Sequence, residues 1–193
     1  PFEASSQQAS RSVSTAVNDA LESGIFVVAA AGNAGPNNLD VSTPANVEGV
    51  ISVGAYDRFL TPWSNTSIGS DFDPYTESVR VWPNQKPEIL APGSYILSTV
   101  SSEKSPPYAY STGTSDATMF VTATLSLILQ DLSEKDLLDL EDYDEDRIHH
   151  FKRALAESAT QTKDQIGHDP RSGYGMLDAV AWRDAIEASA DNW

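Results

Sequence analysis

A serine at the start of a long apolar helix is well placed in this sequence for nucleophilic chemistry. Ser115 follows Gly113 and Thr114, between a short strand pattern and a helical run. The free N–H groups and the positive dipole end of such a helix favour an anion, so an oxyanion formed by attack of the Ser115 hydroxyl would be stabilised by the serine's own amide. Alternatively, Thr114 or Ser115 simply caps the helix, which is the commoner use of such a residue.

A second candidate is an amide side chain on a loop. Asn33 follows the apolar run at residues 27–31 and Gly32. Open α/β folds bind ligands at the C-terminal edge of the sheet, and an amide donates a hydrogen bond without carrying a charge, as an oxyanion hole requires. The alternative is an asparagine that forms the turn before Gly35 and Pro36.

Alternating helix and strand patterns must position these two side chains. Apolar residues at helical spacing predict a helix over residues 5–23, which Gly24 ends. Continuous apolar runs at residues 25–31 and 50–55 are typical of strands buried on both faces. This order predicts an α/β domain with a mostly parallel sheet.

The remainder of the chain predicts one irregular segment, two further strands and three helices. The first of these helices has almost only apolar or small side chains, so we expect it to be buried on all sides. In chain order the predictions are loops and short strands over 56–92, strands at 95–100 and 108–110, the buried helix over 116–132, and helices over 147–158 and 176–188.

Composition and charge exclude several classes of function. The 193 residues include 12 basic and 28 acidic side chains and no cysteine, for a net charge of −16. We therefore expect no nucleic-acid partner, no disulfide and no thiolate nucleophile. The apolar runs are too short for a membrane span, so we expect no membrane partner.

The acidic surplus favours a secreted or extracellular protein from a salt-rich setting over a merely acidic secreted protein.

Nine carboxylates lie within residues 131–146. Their spacing matches no calcium loop, so we interpret them as a solvated face and expect no metal and no cofactor.

Several motifs occur in one order along nearly the whole chain, and together they resemble the C-terminal part of the subtilisin-like serine proteases, the subtilases. The motifs are Val27-Val28-Ala29-Ala30-Ala31-Gly32-Asn33, Thr43-Pro44, Val50-Ile51-Ser52-Val53-Gly54-Ala55, Leu90-Ala91-Pro92-Gly93, Gly113-Thr114-Ser115-Asp116-Ala117-Thr118, Gly173-Tyr174-Gly175 and Leu177-Asp178-Ala179. The resemblance implies a three-layer subtilisin-like fold in which a buried central helix follows the nucleophile.

The resemblance also implies roles for individual residues and a peptide or protein substrate. Ser115 would be the nucleophile and Asn33 the side-chain donor of the oxyanion hole. Four residues would line the pocket for the residue before the scissile bond, and Thr43-Pro44 would form the family's cis-proline turn. The pocket residues are Ala30, Ala31, Gly32 and Ser42.

Two departures from the family pattern qualify these roles. The family's triad runs Asp, His, Ser, yet His149, His150 and His168 all follow Ser115. We therefore expect residues 1–193 to be the C-terminal part of one catalytic domain and to be inactive alone. The expected partner is the N-terminal half of the same domain, which would carry Asp and His.

In the second departure, Met119 stands where the family usually has proline. The alternative function is a catalytically incomplete subtilase-like module for structure or interaction.

Overall fold

The computed structural model describes residues 7–37, 39–74, 76–101, 103, 105–135, 137 and 145–189. Its regular elements follow the predicted order, with boundaries that differ by a few residues. The helices are α1 Gln7–Glu22, α2 Thr114–Glu134, α3 Glu145–Ser158 and α4 Ala179–Ser189, with a 3₁₀ turn at Gly35–Asn37. The strands are β1 Val28–Ala30, β2 Ile51–Tyr56, β3 Ile89–Pro92, β4 Ile96–Thr99 and β5 Tyr108–Ser111.

The central sheet consists of three parallel strands in the order β1-β2-β3. Val28 of β1 lies beside Ile51 of β2, and Val53 of β2 lies beside Ile89 of β3. The predicted parallel α/β architecture is confirmed. Strand β3 lies in the segment predicted as loops and short strands, and it completes this sheet.

Two apolar clusters cover the two faces of the sheet. Side chains of β2 and β3 pack with α2, α3 and α4 in the first cluster. In the second cluster, Ala29 and Ala31 pack with Leu21 of α1 and with the segment that precedes β2. Since neighbouring strand residues face opposite sides, β1 contributes Val28 to the first cluster and Ala29 to the second. The result is a helix–sheet–helix arrangement.

Helix α2 is buried along one stripe rather than on all sides, which differs from the prediction. Its buried positions, among them Ala117, Val121 and Leu125, contact the sheet. On its other side, Met119 is 66% exposed and Leu127 is 67% exposed. The apolar composition is as predicted, but no described residue covers this second side.

A hairpin leads directly into the start of α2. Strands β4 and β5 pair antiparallel, with Ile96 beside Ser111. The Gly113 N–H donates to the Gly93 carbonyl at 2.8 Å. This bond joins the residues that lead into β4 to those that follow β5. A Cβ on Gly93 would lie 2.6 Å from the Ala55 Cβ, so only glycine lets this turn pack against β2.

A buried ionic cluster joins β2, β3 and α3. The ammonium groups of Lys86 and Lys152 lie 2.8 and 2.7 Å from the same Glu88 oxygen, and these side chains are at most 1% exposed. Both ammonium groups also donate to the Val50 carbonyl, and the second Glu88 oxygen accepts from the Ser52 N–H at 2.8 Å. Each charged group therefore has several partners, which a buried charge requires.

Burial lowers the pKa of both lysines, because an ammonium group loses its hydration inside the protein. The pKa of Lys86 falls to about 7, and the attraction of Glu88 offsets the desolvation only in part. Two ammonium groups share one carboxylate here, so the cluster readily releases one proton.

None of the helices in the described ranges has the length and apolar character needed to cross a membrane. Half of the carboxylate-rich segment at residues 131–146 lies outside the described residues. Within the described part of it, Lys135 bridges Asp131 and Glu187 at 3.0 Å each.

The free energy of unfolding should rise between pH 7 and pH 9. The pKa of Lys86 is about 7 when folded and has its ordinary value of 10.5 when unfolded, so the unfolded chain holds a proton that the folded protein has released. Stability then increases with pH by up to about 1.4 kcal/mol per unit. Urea unfolding at both pH values measures this rise. Lys86→Met should remove most of it, whereas a control change at the exposed Lys163, Lys163→Met, should preserve it. An equal rise in Lys86→Met would contradict the assignment.

Candidate active site

Ser115 lies in the first turn of α2 and is half-buried. Gly113 occupies the N-cap position, so the N-cap residue itself has no side chain that could cap the helix by a hydrogen bond. The alternative that Thr114 or Ser115 is the cap is therefore wrong. In the part of the chain that the structure describes, the Ser115 hydroxyl and N–H have no hydrogen-bond partner, so both groups are available to a bound molecule.

Asn33 is joined to the same helix start by two hydrogen bonds. Its side-chain oxygen accepts from the Thr114 N–H at 3.0 Å and from the Thr114 hydroxyl at 2.9 Å. The Thr114 hydroxyl in turn accepts from the Gly32 N–H at 3.1 Å. Because the amide oxygen is occupied twice, the exposed Asn33 NH₂ group is left to donate outward.

The position of Asn33 fits the turn interpretation, and its side chain also reaches a distant segment. It does precede the 3₁₀ turn at Gly35–Asn37, as the turn interpretation expects. However, its side chain bonds a residue that is 81 positions away in sequence. A Cβ built on Gly113 would lie 3.4 Å from the Asn33 nitrogen. A neutral hydrogen-bond donor therefore lies beside the first turn of α2, which carries Ser115.

The four predicted pocket residues lie together at the end of β1, next to Asn33. The Ser42 N–H donates to the Ala31 carbonyl at 2.8 Å, and Ala30 is the last residue of β1. A Cβ on Gly32 would lie 2.5 Å from the Ser42 hydroxyl oxygen, and Gly32 has a φ of +110°. Only glycine therefore fits between the end of β1 and Ser42.

Sequence reasoning missed the residues that hold this loop in place. Ser67 donates its N–H to the Gly32 carbonyl at 2.9 Å, and its hydroxyl accepts from the Ala34 N–H at 3.2 Å. The role of Thr114 as a bridge was also missed. Ser67 lies in an irregular segment without a motif, so no sequence signal could have identified it.

Asp116 places a carboxylate one residue after Ser115. The Ser111 hydroxyl at the end of β5 donates to one of its oxygens at 2.9 Å. Asp116 is half-buried, and within the described ranges no basic side chain lies close enough to form an ion pair with it. The site therefore combines neutral donors with one negative charge.

None of the three histidines hydrogen-bonds to Ser115 in the described part of the chain. His149 and His150 lie on α3, and the His168 ring contacts Tyr174 and the Pro87 carbonyl at 3.0 Å. Burial lowers the pKa of His168. Within the described ranges there is also no group of three or more His, Asp or Glu residues that could hold a metal ion.

Comparisons with known proteins found similar sequences and similar solved structures. A family model described as "Subtilase family" matches residues 3–175. The chain is 36% identical over 126 residues to Serine protease AprX of Bacillus subtilis (strain 168), which covers 60% of this chain and 28% of AprX. It is 34% identical over 122 residues to Subtilisin DY of Bacillus licheniformis, which covers 62% of this chain and 38% of that protein.

The solved structure of the prenylagaramide maturation protease PagA is similar as well. It matches with a TM-score of 0.67 at 26% identity, over 89% of this chain and 54% of PagA. The chain thus spans about a third of the two sequence relatives and about half of PagA.

Thr114→Val should destabilise the protein by about 1–3 kcal/mol, because the change leaves the buried Gly32 N–H without its acceptor and removes one of the two hydrogen bonds to the Asn33 oxygen. Equilibrium urea unfolding measures the change. Thr122→Val is the matched control on the same helix, since the Thr122 hydroxyl bonds only a carbonyl within α2. Equal effects of both variants would show that the bridge between Asn33 and α2 contributes nothing specific.

Proposed function

Since this chain belongs to the subtilase family, we propose that it supplies the nucleophile and the oxyanion hole of a serine endopeptidase. The observation that carries the proposal is the pair of hydrogen bonds from Thr114 to the Asn33 oxygen. They hold an uncharged donor beside the helix turn that carries Ser115. An oxyanion hole needs such donors in place before the reaction begins.

The proposed reaction proceeds through an acyl-enzyme. The Ser115 oxygen attacks the carbonyl carbon of a peptide bond, and its proton passes to a general base. The Asn33 NH₂ group and the Ser115 N–H donate to the resulting oxyanion. The C–N bond then breaks as the leaving amine takes up the proton, and water releases the acyl group from Ser115 by the reverse sequence.

The general base and the residue that orients it are proposed to come from a segment outside these 193 residues. This proposal is supported by the placement of all three histidines away from Ser115 and by the match to only 54% of PagA. The partner segment would carry the histidine and aspartate of the triad.

The open edge of the sheet is the proposed contact surface for this partner segment. Among the described residues, no strand pairs with the outer edge of β1. A groove of about 550 Å³ runs beside that edge, lined by residues 24–28 and by one side of α2 that includes Leu125 and Leu129. A further strand with apolar neighbours would pair with the edge of β1 and fill this groove.

The pocket residues Ala30, Ala31, Gly32 and Ser42 are proposed to receive the residue before the scissile bond. They lie together at the end of β1, next to Asn33. The substrate would accordingly be a peptide or protein.

Asn33→Ala in the complete protease should lower kcat by about 10²–10³ with KM nearly unchanged, because the donor acts mainly in the transition state. Ser115→Ala should abolish turnover, and the 193 residues alone should show none. The measurement is steady-state hydrolysis of a quenched peptide. Ser158→Ala is the control, because this serine ends α3, lies outside the groove and bonds only the Leu155 carbonyl.

Two outcomes would contradict the proposal. Hydrolysis by the 193 residues alone that Ser115→Ala abolishes would place the general base within this chain. Peptide hydrolysis by the complete protein that survives Ser115→Ala would show that Ser115 is not the nucleophile, and the chain would then act as a structural or interaction module.

A further inference from the structure

One buried serine bonds the chain on both sides of Asn33. The Ser67 N–H donates to the Gly32 carbonyl at 2.9 Å, and the Ser67 hydroxyl accepts from the Ala34 N–H at 3.2 Å. Any residue except proline at position 67 would supply the N–H, but the bond to Ala34 requires the hydroxyl. Ser67 has no exposed surface, so its effect on a substrate passes through the loop that carries Asn33.

The segment around Ser67 is itself attached to the central sheet. The hydroxyl of the buried Thr66 accepts from the Ala55 N–H of β2 at 3.1 Å. The Asn65 carbonyl accepts from the Gly35 N–H at 2.9 Å, which adds a third bond to the loop after β1. Residues 65–67 therefore transfer the position of β2 to the backbone around Asn33.

Two separate sets of bonds thus determine where the Asn33 NH₂ group points. Thr114 holds the oxygen of the Asn33 side chain, whereas Ser67 holds the backbone from which that side chain extends. The direction of the NH₂ group depends on both. A reacting or stabilising group that is misplaced by about 1 Å can cost up to about 100-fold in rate, so the backbone contribution matters for an oxyanion hole.

We infer that Ser67 is a positioning residue for the oxyanion hole and that it acts on the reaction through Asn33. The inference rests on the proposed peptidase function and adds a residue to its site. The loop that Ser67 holds presents the Asn33 NH₂ group to the oxyanion without a prior movement. Without the hydroxyl the loop shifts, and the donor meets the oxyanion in a poorer geometry while the substrate still binds.

Steady-state hydrolysis of a quenched peptide by the complete protease tests this inference. The value of kcat is expressed per reactive Ser115, which is titrated with an organofluorophosphonate, so unfolded protein does not contribute. Ser67→Ala keeps the N–H bond to Gly32 and removes only the hydroxyl. It should lower kcat about tenfold and leave KM within about twofold, because the buried hydroxyl touches no substrate.

Ser52→Ala is the matched control for the loss of a buried hydroxyl. Ser52 lies on β2 and is as buried as Ser67, but its hydroxyl has no hydrogen-bond partner in the part of the chain that the structure describes. Its replacement should leave both kcat and KM at their wild-type values. An equal loss of kcat in Ser52→Ala and Ser67→Ala would overturn the inference.

A double-mutant cycle with Asn33→Ala separates a positioning role from a merely structural one. If Ser67 acts through Asn33, Ser67→Ala should change kcat by less than about twofold once the Asn33 amide is absent. An equal loss of kcat with and without the amide overturns the inference. A wild-type kcat in Ser67→Ala, or a loss of kcat/KM that lies entirely in KM, overturns it as well.

Ser67→Cys serves if Ser67→Ala yields no reactive Ser115. The thiol is similar in size to the hydroxyl and is a weaker acceptor, so kcat should fall, and only while the Asn33 amide is present. An unchanged kcat in Ser67→Cys would then overturn the inference.

Failure of the proposed peptidase function has a different signature, which is the absence of any cleavage that Ser115→Ala removes. Ser67 would then have no transition state to act on, and the inference would fall together with the function. Cleavage that depends on Ser115 but does not respond to the Ser67 variants overturns the inference alone.

Discussion

The loop after β1 and the first turn of α2 are joined through a single threonine. The Thr114 hydroxyl donates to the Asn33 oxygen and accepts from the Gly32 N–H, and the Thr114 N–H donates to the same Asn33 oxygen. These bonds connect segments that lie 81 and 82 positions apart in sequence. They give Asn33 and Ser115 a fixed relative position, on which the proposed chemistry depends.

The rest of the fold keeps both ends of this connection in register. Strand β1 is paired with β2, and β2 carries the Ser52 N–H that bonds Glu88, the residue before β3. Through Glu88, the ammonium groups of Lys86 and Lys152 attach the sheet to α3. On the other side of the nucleophile, the contact between Gly93 and Gly113 sets where the hairpin ends and α2 begins. The site is therefore supported from the sheet and from the hairpin.

Much of this arrangement follows from local sequence patterns. The run at residues 25–31 predicts a buried strand because its residues are continuously apolar, and Ser115 is expected at a helix start because a glycine and an apolar helical run flank it. These patterns place Asn33 and Ser115 on the elements that carry them in the structure. The resemblance to the subtilases then brings the two residues into one site.

Other features could not be predicted, because they depend on contacts between distant segments. Lys86 and Lys152 are ordinary surface residue types, and their burial depends on the shared Glu88 and on the Val50 carbonyl, which are brought together only by the fold. Helix α2 has the composition of a fully enclosed helix, yet Met119 and Leu127 are exposed because no described residue packs against them. Its predicted start at residue 116 was late, because Gly113 rather than Ser115 occupies the N-cap position.

The central claim is that Ser115 is an activated nucleophile, and covalent labelling of the complete protease tests it most directly. An organofluorophosphonate reacts with such a serine as the P–F bond breaks and an O–P bond forms. Mass spectrometry of the intact protein and of its peptides should show one adduct, located on Ser115 and absent from Ser115→Ala. An enzyme that cleaves peptides but carries no adduct, or carries it on another serine, would contradict the account.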